Sequence, residues 1–160
     1  FGEAIKKIYN VEKEKLFNKN SIGVRFEKQS HLNLDCQFVI NTPTSGKTSV
    51  IEPHLDNPIE LYAALLYMKD DDDNSTGGNL TTYSFKDKPS FYGKSRVRHE
   101  KINLIEEIEY KKNRLVMFLN TPYSLHGVSQ RDKTNFYRKY INIIGDYNFE
   151  LFNYRNFLEK

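Results

Sequence analysis

From residue 21 onward, clusters of Gly, Pro, Asn and Asp divide the chain into short apolar segments. Segments of this length, separated by turn-forming residues, are typical of β-strands joined by loops. Many such strands, with no internal repeat, favour an all-β sandwich or barrel. We predict strands at 22–27, 36–42, 49–55, 61–69, 78–85, 104–110, 114–119, 123–128 and 138–144.

Residues 3–18 have a different pattern, in which Ile5, Ile8, Leu16 and Phe17 are spaced among many Lys and Glu residues. This spacing predicts an amphipathic helix that packs one face against the outside of the β structure.

The 160-residue length suits a single domain. We predict a helix over 1–20, a barrel over 22–145 and a C-terminal extension over 146–160. The chain begins at Phe1 rather than Met, which leaves open that an N-terminal part of the domain is missing.

The composition excludes several classes of site. Cys36 is the only cysteine, so we expect neither a disulfide framework nor a cysteine-type zinc site. We expect the protein to lie in a reducing, cytoplasmic compartment. The net charge of +3 is too small to imply a partner by itself. Nucleic-acid binding would need a continuous basic face, and only one loop is rich in Lys and Arg, so we do not expect a nucleic-acid partner. No apolar run approaches the roughly 18 residues of a membrane span, so no membrane partner is expected. The oligomeric state is left open.

The stretch EPHLDNP, residues 52–58, places His54 and Asp56 two residues apart. Side chains at i and i+2 of a strand point to the same face, so both can reach one point in space. An imidazole nitrogen and a carboxylate oxygen suit a divalent metal. Taken alone, the pair is more simply explained by a buried histidine and an aspartate that caps the turn at Asn57-Pro58.

His126, on a later predicted strand, changes this interpretation. Several strands intervene, so a barrel can bring it beside His54 and Asp56. Two histidines and one carboxylate form the facial triad of non-haem Fe(II) oxygenases, which leaves coordination positions open for substrate and O₂. We therefore predict these three residues as metal ligands and as the catalytic centre.

Two adjacent cations, Arg138 and Lys139, head a strand that is otherwise aromatic and aliphatic. Because side chains alternate along a strand, one of the two must point inward. A cation inside a barrel is costly unless it is paired, and a bound carboxylate would pair with an arginine through two parallel hydrogen bonds. The alternative places Arg138 at the barrel rim and Lys139 in solvent.

Six segments between Cys36 and Gly145 resemble, in the same order, those of the 2-oxoglutarate/Fe(II)-dependent dioxygenases, in particular the prolyl-hydroxylase-like branch. PHLDNP is similar to the strand and turn with the H-x-D pair, AALLYMKDD to the next strand with its tyrosine, and GGNL to the G-G-E-L step. RLVMFLN resembles the strand before the distal histidine, LHGVSQR the segment that carries it, and RKYINII the final strand with the co-substrate-binding cation.

The resemblance implies a mainly β fold, a double-stranded β-helix or jelly-roll (cupin-like) barrel. It assigns the triad to Fe(II) and the distal carboxylate of 2-oxoglutarate to Arg138, with a further hydrogen bond from Tyr67. Lys139 is a plausible substitute for Arg138, and Arg131 a weaker one. The implied reaction uses O₂, with ascorbate as a candidate reductant, and releases succinate and CO₂. Asp56 favours hydroxylation, because related halogenases lack this carboxylate.

The substrate class stays open between a peptidyl side chain and a small metabolite. The loop over 86–101 is rich in Lys and Arg and contains Phe91 and Tyr92, which would suit an acidic or phosphorylated substrate. A solvated run of charges is the simpler interpretation of that loop, as it is of the acidic loop over 70–78. A non-catalytic cupin-like protein that binds a metal or ligand is the alternative function.

Overall fold

The computed structural model describes residues 22–24, 32–49, 51–92 and 95–157. The helix predicted over 3–18 lies outside the described residues. Two short 3₁₀ helices cover His99–Lys101 and Tyr154–Phe157. Among the residues with a described position, no helix has the length and apolar character needed to cross a membrane.

Eight strands dominate the described structure and confirm the predicted mainly β fold. They are β1 (Ile22–Val24), β2 (Leu32–Asn41), β3 (Glu60–Tyr67), β4 (Leu80–Phe85), β5 (Ile102–Ile108), β6 (Leu115–Leu119), β7 (His126–Val128) and β8 (Arg138–Tyr147). Several begin or end a few residues away from the predicted bounds.

The strands form two sheets in a jelly-roll arrangement. The larger sheet has the order β1-β2-β8-β3-β6 and the smaller one β5-β4-β7. From β3 onward the chain passes from the larger sheet to the smaller one and back twice, which is why sequence-distant segments meet in space. All pairs are antiparallel except β1 with β2.

The strand predicted at 49–55 is wrong as a continuous element. Among the described residues of this range, only His54 forms β-bridges, with His126 and with Arg96, while the preceding Thr48 pairs with Arg131. Pro53 has no N–H to donate to a ladder, which limits regular pairing. The bridges at His54 nevertheless add short strand-like pieces to the β7 edge of the smaller sheet.

The strand predicted at 123–128 begins only at His126. The preceding residues form a turn, in which the Ser124 hydroxyl accepts a hydrogen bond from Thr121 N at 3.1 Å and donates to Leu119 O at 2.6 Å. Side-chain hydrogen bonds of this kind compete with ladder formation. The turn therefore delivers the chain to His126 in a fixed position.

The two charged loops are more structured than predicted. In the basic loop, Phe91 and Val97 are buried and pack with Leu55, Ile102 and Leu125. These two side chains attach the described part of the loop to the apolar cluster.

In the acidic loop, Asp73 is buried and its carboxylate lies 3.2 Å from Arg131 Nη2. The side chains of these two residues are 0% and 4% exposed respectively. Asp71 pairs with Lys112 at the surface, where the two side chains are 81% and 49% exposed. A third aspartate of the loop, Asp70, pairs with Lys139, so the described loop contains the buried Asp73 pair and two ion pairs that are more exposed.

We expect the substitution Asp73→Asn to lower the free energy of unfolding by roughly 3–5 kcal/mol, because it leaves Arg131 as a buried charge without its counter-ion. Asp71→Asn, the matched control at an exposed pair, is expected to cost less than about 1 kcal/mol. Urea unfolding followed by circular dichroism measures both. Equal effects of the two substitutions would show that the buried pair does not stabilise the loop.

Candidate active site

His54 and His126 are direct neighbours on adjacent strand pieces. His54 N donates to His126 O at 2.8 Å, and His126 N donates to His54 O at 3.1 Å. A pair that exchanges both hydrogen bonds places its side chains on the same face. The two ring centroids are accordingly 4.5 Å apart.

Asp56 completes the group. One carboxylate oxygen lies 3.5 Å from His54 Nε2 and the other lies 3.5 Å from His126 Nε2. The candidate ligand atoms of the three residues all lie within 4.8 Å of one another, close enough to hold one metal ion. The structure therefore brings the three predicted ligands together.

Backbone carbonyls orient both histidine rings. His54 Nδ1 lies 2.8 Å from Glu52 O, and His126 Nδ1 lies 2.9 Å from Ser124 O. A carbonyl oxygen only accepts, so Nδ1 carries the proton in each ring. Each Nε2 is then directed at the centre of the group as a possible metal ligand, an arrangement that is usual for metal-binding histidines.

The electrostatics of the group favour a positive charge between the three side chains. Burial raises the pKa of Asp56, but contacts with His126 and His54 outweigh burial and hold this pKa well below its usual range. Burial lowers the pKa of His126, but the contact with Asp56 outweighs it and raises this pKa. A metal ion would supply the same positive charge.

A cavity of about 250 Å³ joins this group to Arg138. The triad lines one part of it, and Arg138, Tyr140 and Asn142 line another part from strand β8. The i, i+2, i+4 spacing of these three residues places their side chains on one face of β8.

Arg138 is a buried cation, only 2% exposed. Its Nε donates to Gly78 O at 2.7 Å and its Nη1 donates to Asn41 Oδ1 at 3.3 Å. Gly78 has a φ of +71°, and a Cβ atom there would lie 3.2 Å from Arg138 Cδ. The left-handed backbone conformation therefore favours glycine at this position, and a Cβ atom there would also crowd the arginine side chain.

Three tyrosine rings surround the Arg138 guanidinium. Its Cζ lies 5.3 Å from the ring centroid of Tyr67, 5.1 Å from that of Tyr110 and 4.8 Å from that of Tyr140. Cation–π contacts of this kind stabilise a desolvated guanidinium. We call these three residues the tyrosine cage.

Several buried polar atoms on strands β3 and β8 have no hydrogen-bond partner in the described structure. They include Arg138 Nη2, the Tyr67 hydroxyl and Asn142 Oδ1. Burial raises the pKa of Tyr67, so its phenol stays protonated and can donate. Two unused donors, one of them on a cation, match the needs of a carboxylate.

The other two predicted cations lie elsewhere. Lys139 points to the opposite face of β8, where it pairs with Asp70. Arg131 is committed to Asp73 and also donates to the Ser75 hydroxyl at 2.9 Å. Neither residue lines the cavity that contains the triad.

The sequence prediction missed Tyr110, Tyr140 and Asn41. Tyr140 could have been predicted from the sequence, because it stands two residues beyond Arg138 on the same strand and so shares its face. Tyr110 lies in the connection after β5, where its hydroxyl accepts from Lys139 N at 2.8 Å. No local pattern indicates that contact. Asn79, which stands where the G-G-E-L step has Glu, accepts from Tyr110 N at 2.8 Å and so helps to position the cage.

With the geometry established, comparison with known proteins identifies the family. The family model described as the 2OG-Fe(II) oxygenase superfamily matches residues 37–143, which is more than half of the chain. The chain belongs to the 2OG-Fe(II) oxygenase superfamily. The family membership predicted from the six sequence segments is confirmed.

Two solved structures are similar to this chain at low sequence identity. A prolyl 4-hydroxylase from Phytophthora capsici matches with a TM-score of 0.41 and 20% identity, over 76% of this chain and 34% of the other. The chain thus spans about a third of the length of that protein. A structure of Bacillus endospore appendages, which form disulfide-linked pili, matches with a TM-score of 0.36 and 12% identity, over 73% and 88% of the two chains. No curated protein matches the sequence.

Membership in the superfamily implies Fe(II) and 2-oxoglutarate, and the residues present fit both. Two Nε2 atoms and a carboxylate on one side of the cavity suit a divalent metal. The unused donors on Arg138 and Tyr67 suit the carboxylate of an oxo acid.

We expect Co(II), an air-stable substitute for Fe(II), to raise the melting temperature of the protein. At a concentration about 100-fold above the dissociation constant, binding to the folded state alone adds about 2.7 kcal/mol. His126→Ala should abolish the shift, whereas His99→Ala, at an exposed histidine, should retain it. Differential scanning fluorimetry measures all three. An unchanged shift in His126→Ala would show that the metal binds elsewhere.

Proposed function

We propose that residues 1–160 form a single Fe(II)- and 2-oxoglutarate-dependent dioxygenase domain that hydroxylates an unactivated C–H bond and releases succinate and CO₂. The observation that carries the proposal is the shared cavity. A three-residue metal-binding group and a buried arginine with an unused donor line the same space. A barrel that only needed to be stable would have no reason to bury that arginine.

In this proposal His54, Asp56 and His126 are the metal ligands. Bound Fe(II) would supply the redox chemistry that activates O₂. The three ligand side chains line one part of the cavity, so an ion held there would face the rest of that space. The carbonyls of Glu52 and Ser124 fix the orientation of both rings, so each Nε2 would be available to coordinate the metal.

Arg138 and Tyr67 would hold the distal carboxylate of 2-oxoglutarate. The guanidinium offers Nη2, and the protonated phenol offers its hydroxyl. The tyrosine cage excludes water around this pair, which strengthens both hydrogen bonds. Lys139 would need to leave Asp70 and cross the strand to take the same role, so we assign it no contact with the co-substrate.

The presence of Asp56 supports hydroxylation. An aspartate at this position fills the coordination site that a halide would otherwise take, which is the distinction implied by the family resemblance. The prime substrate in this proposal is a peptidyl side chain or a small metabolite, and the domain needs no membrane or nucleic-acid partner.

The protein should release succinate slowly when it is incubated with Fe(II), ascorbate and 2-oxoglutarate in the absence of a prime substrate. Loss of a metal ligand in His126→Ala should reduce the rate at least about tenfold. His99→Ala serves as the control for the loss of an imidazole and should keep the wild-type rate. Succinate is measured by liquid chromatography with mass detection.

Two results would contradict this proposal. If wild type and His126→Ala gave the same background, the succinate would not come from this site. If the wild type bound metal and yet formed no succinate, the domain would be a non-catalytic metal- or ligand-binding protein of the cupin type.

A further inference from the structure

A row of four side chains crosses the β7 edge of the smaller sheet. His126 pairs with His54, His54 pairs with Arg96, and Arg96 pairs with Tyr92. The first two residues belong to the metal-binding group, and the last two belong to the basic loop. The basic loop is therefore built directly onto the metal-binding strands.

His54 and Arg96 form a closely spaced antiparallel pair. Leu55 N donates to Ser95 O at 3.0 Å, and Val97 N donates to Pro53 O at 3.1 Å. These hydrogen bonds flank the pair, so His54 and Arg96 form a non-hydrogen-bonded pair with Cα atoms about 4.5 Å apart. Directly paired residues project to the same face. Arg96 therefore emerges on the face from which the His54 ring approaches Asp56.

Arg96 is exposed, whereas the residue that follows it is buried. Val97, the next residue, is 1% exposed and belongs to the apolar cluster around Leu55. Arg96 itself is exposed. Its guanidinium has no hydrogen-bond or ion-pair partner within the described ranges. It is thus an exposed cation on a segment that pairs directly with His54 of the metal-binding group.

The neighbouring charges have defined partners. The Tyr92 hydroxyl donates to Glu52 Oε2 at 3.0 Å, so that carboxylate is already hydrogen-bonded. The guanidinium of Arg98 lies over the Tyr92 ring, 5.4 Å from its centroid. Arg98 stands two residues from Arg96 on the same face of the segment and adds a second positive charge. Glu60 lines the cavity from β3, on the larger sheet.

We propose that Arg96 recognises an anionic group, a carboxylate or a phosphate, on the prime substrate of this oxygenase. The inference rests on the proposed function and adds a substrate class to it. Arg138, inside the barrel, is assigned to the co-substrate, so the two arginines serve two different anions. A guanidinium presents a planar fork that binds either anion through two hydrogen bonds. The substrate anion would then be held on the same side of the sheet as the metal-binding group.

The experiment uses inorganic phosphate and acetate as probes for anion binding at Arg96. The protein is loaded with substoichiometric Mn(II), an unreactive and paramagnetic substitute for iron, and saturated with 2-oxoglutarate so that Arg138 is occupied. Paramagnetic relaxation of the phosphate ³¹P and acetate ¹H signals then reports anions held near the ion. We expect saturable enhancement in the wild type and a loss of about fivefold in Arg96→Gln. Arg155→Gln, at an exposed arginine on the C-terminal segment, should match the wild type.

The outcomes distinguish the inference about Arg96 from the proposed hydroxylase function. A response to phosphate alone assigns a phosphorylated substrate, and a response to acetate alone assigns a carboxylate. Either supports the inference if Arg96→Gln abolishes it. Equal enhancement in Arg96→Gln, or no saturable enhancement in a wild type that binds Mn(II), would overturn the inference and leave the hydroxylase intact. Mn(II) binding no tighter in the wild type than in His126→Ala would refute the proposed function, and this inference with it.

Discussion

The buried guanidinium of Arg138 is the constraint on which the rest of the site depends. Moving a charge out of water costs several kcal/mol, and no acidic side chain of the described residues offsets that cost by pairing with it. The structure compensates in part, through the carbonyl of Gly78, the amide oxygen of Asn41 and the tyrosine cage. One guanidinium nitrogen still lacks a partner. A bound carboxylate would supply both the missing acceptor and the missing charge.

The acidic loop explains why Arg138 alone among three neighbouring cations has this role. Asp70 pairs with Lys139 and Asp73 pairs with Arg131. Each of these cations is neutralised by a side chain of the loop, whereas the unpaired Arg138 is directed into the cavity. The acidic loop, which the sequence analysis interpreted as a solvated run of charges, therefore determines which cation remains available for a ligand.

The sequence predicted those parts of the site that depend on local periodicity. The two-residue period of a strand grouped His54 with Asp56 and required one of Arg138 and Lys139 to point inward. It did not predict contacts that depend on how connections fold over the sheets. Tyr110 reaches the cage from the end of β5, and Asp73 is buried by its pairing with an arginine far along the chain. The false strand at 49–55 has the same origin, because its apolar pattern does not reveal that Pro53 limits pairing to the bridges at its ends.

The affinity of the metal-loaded protein for 2-oxoglutarate tests the central claim most directly. Isothermal titration calorimetry with Mn(II)-loaded wild type, Arg138→Gln and Lys139→Gln compares two adjacent residues on opposite faces of one strand. The account predicts that Arg138→Gln weakens binding by about tenfold or more, since it removes a buried charge-assisted contact. Lys139→Gln should change the affinity by less than about twofold, because it removes only a surface pair with Asp70. A larger loss in Lys139→Gln than in Arg138→Gln would contradict the account and place the co-substrate on the other face of β8.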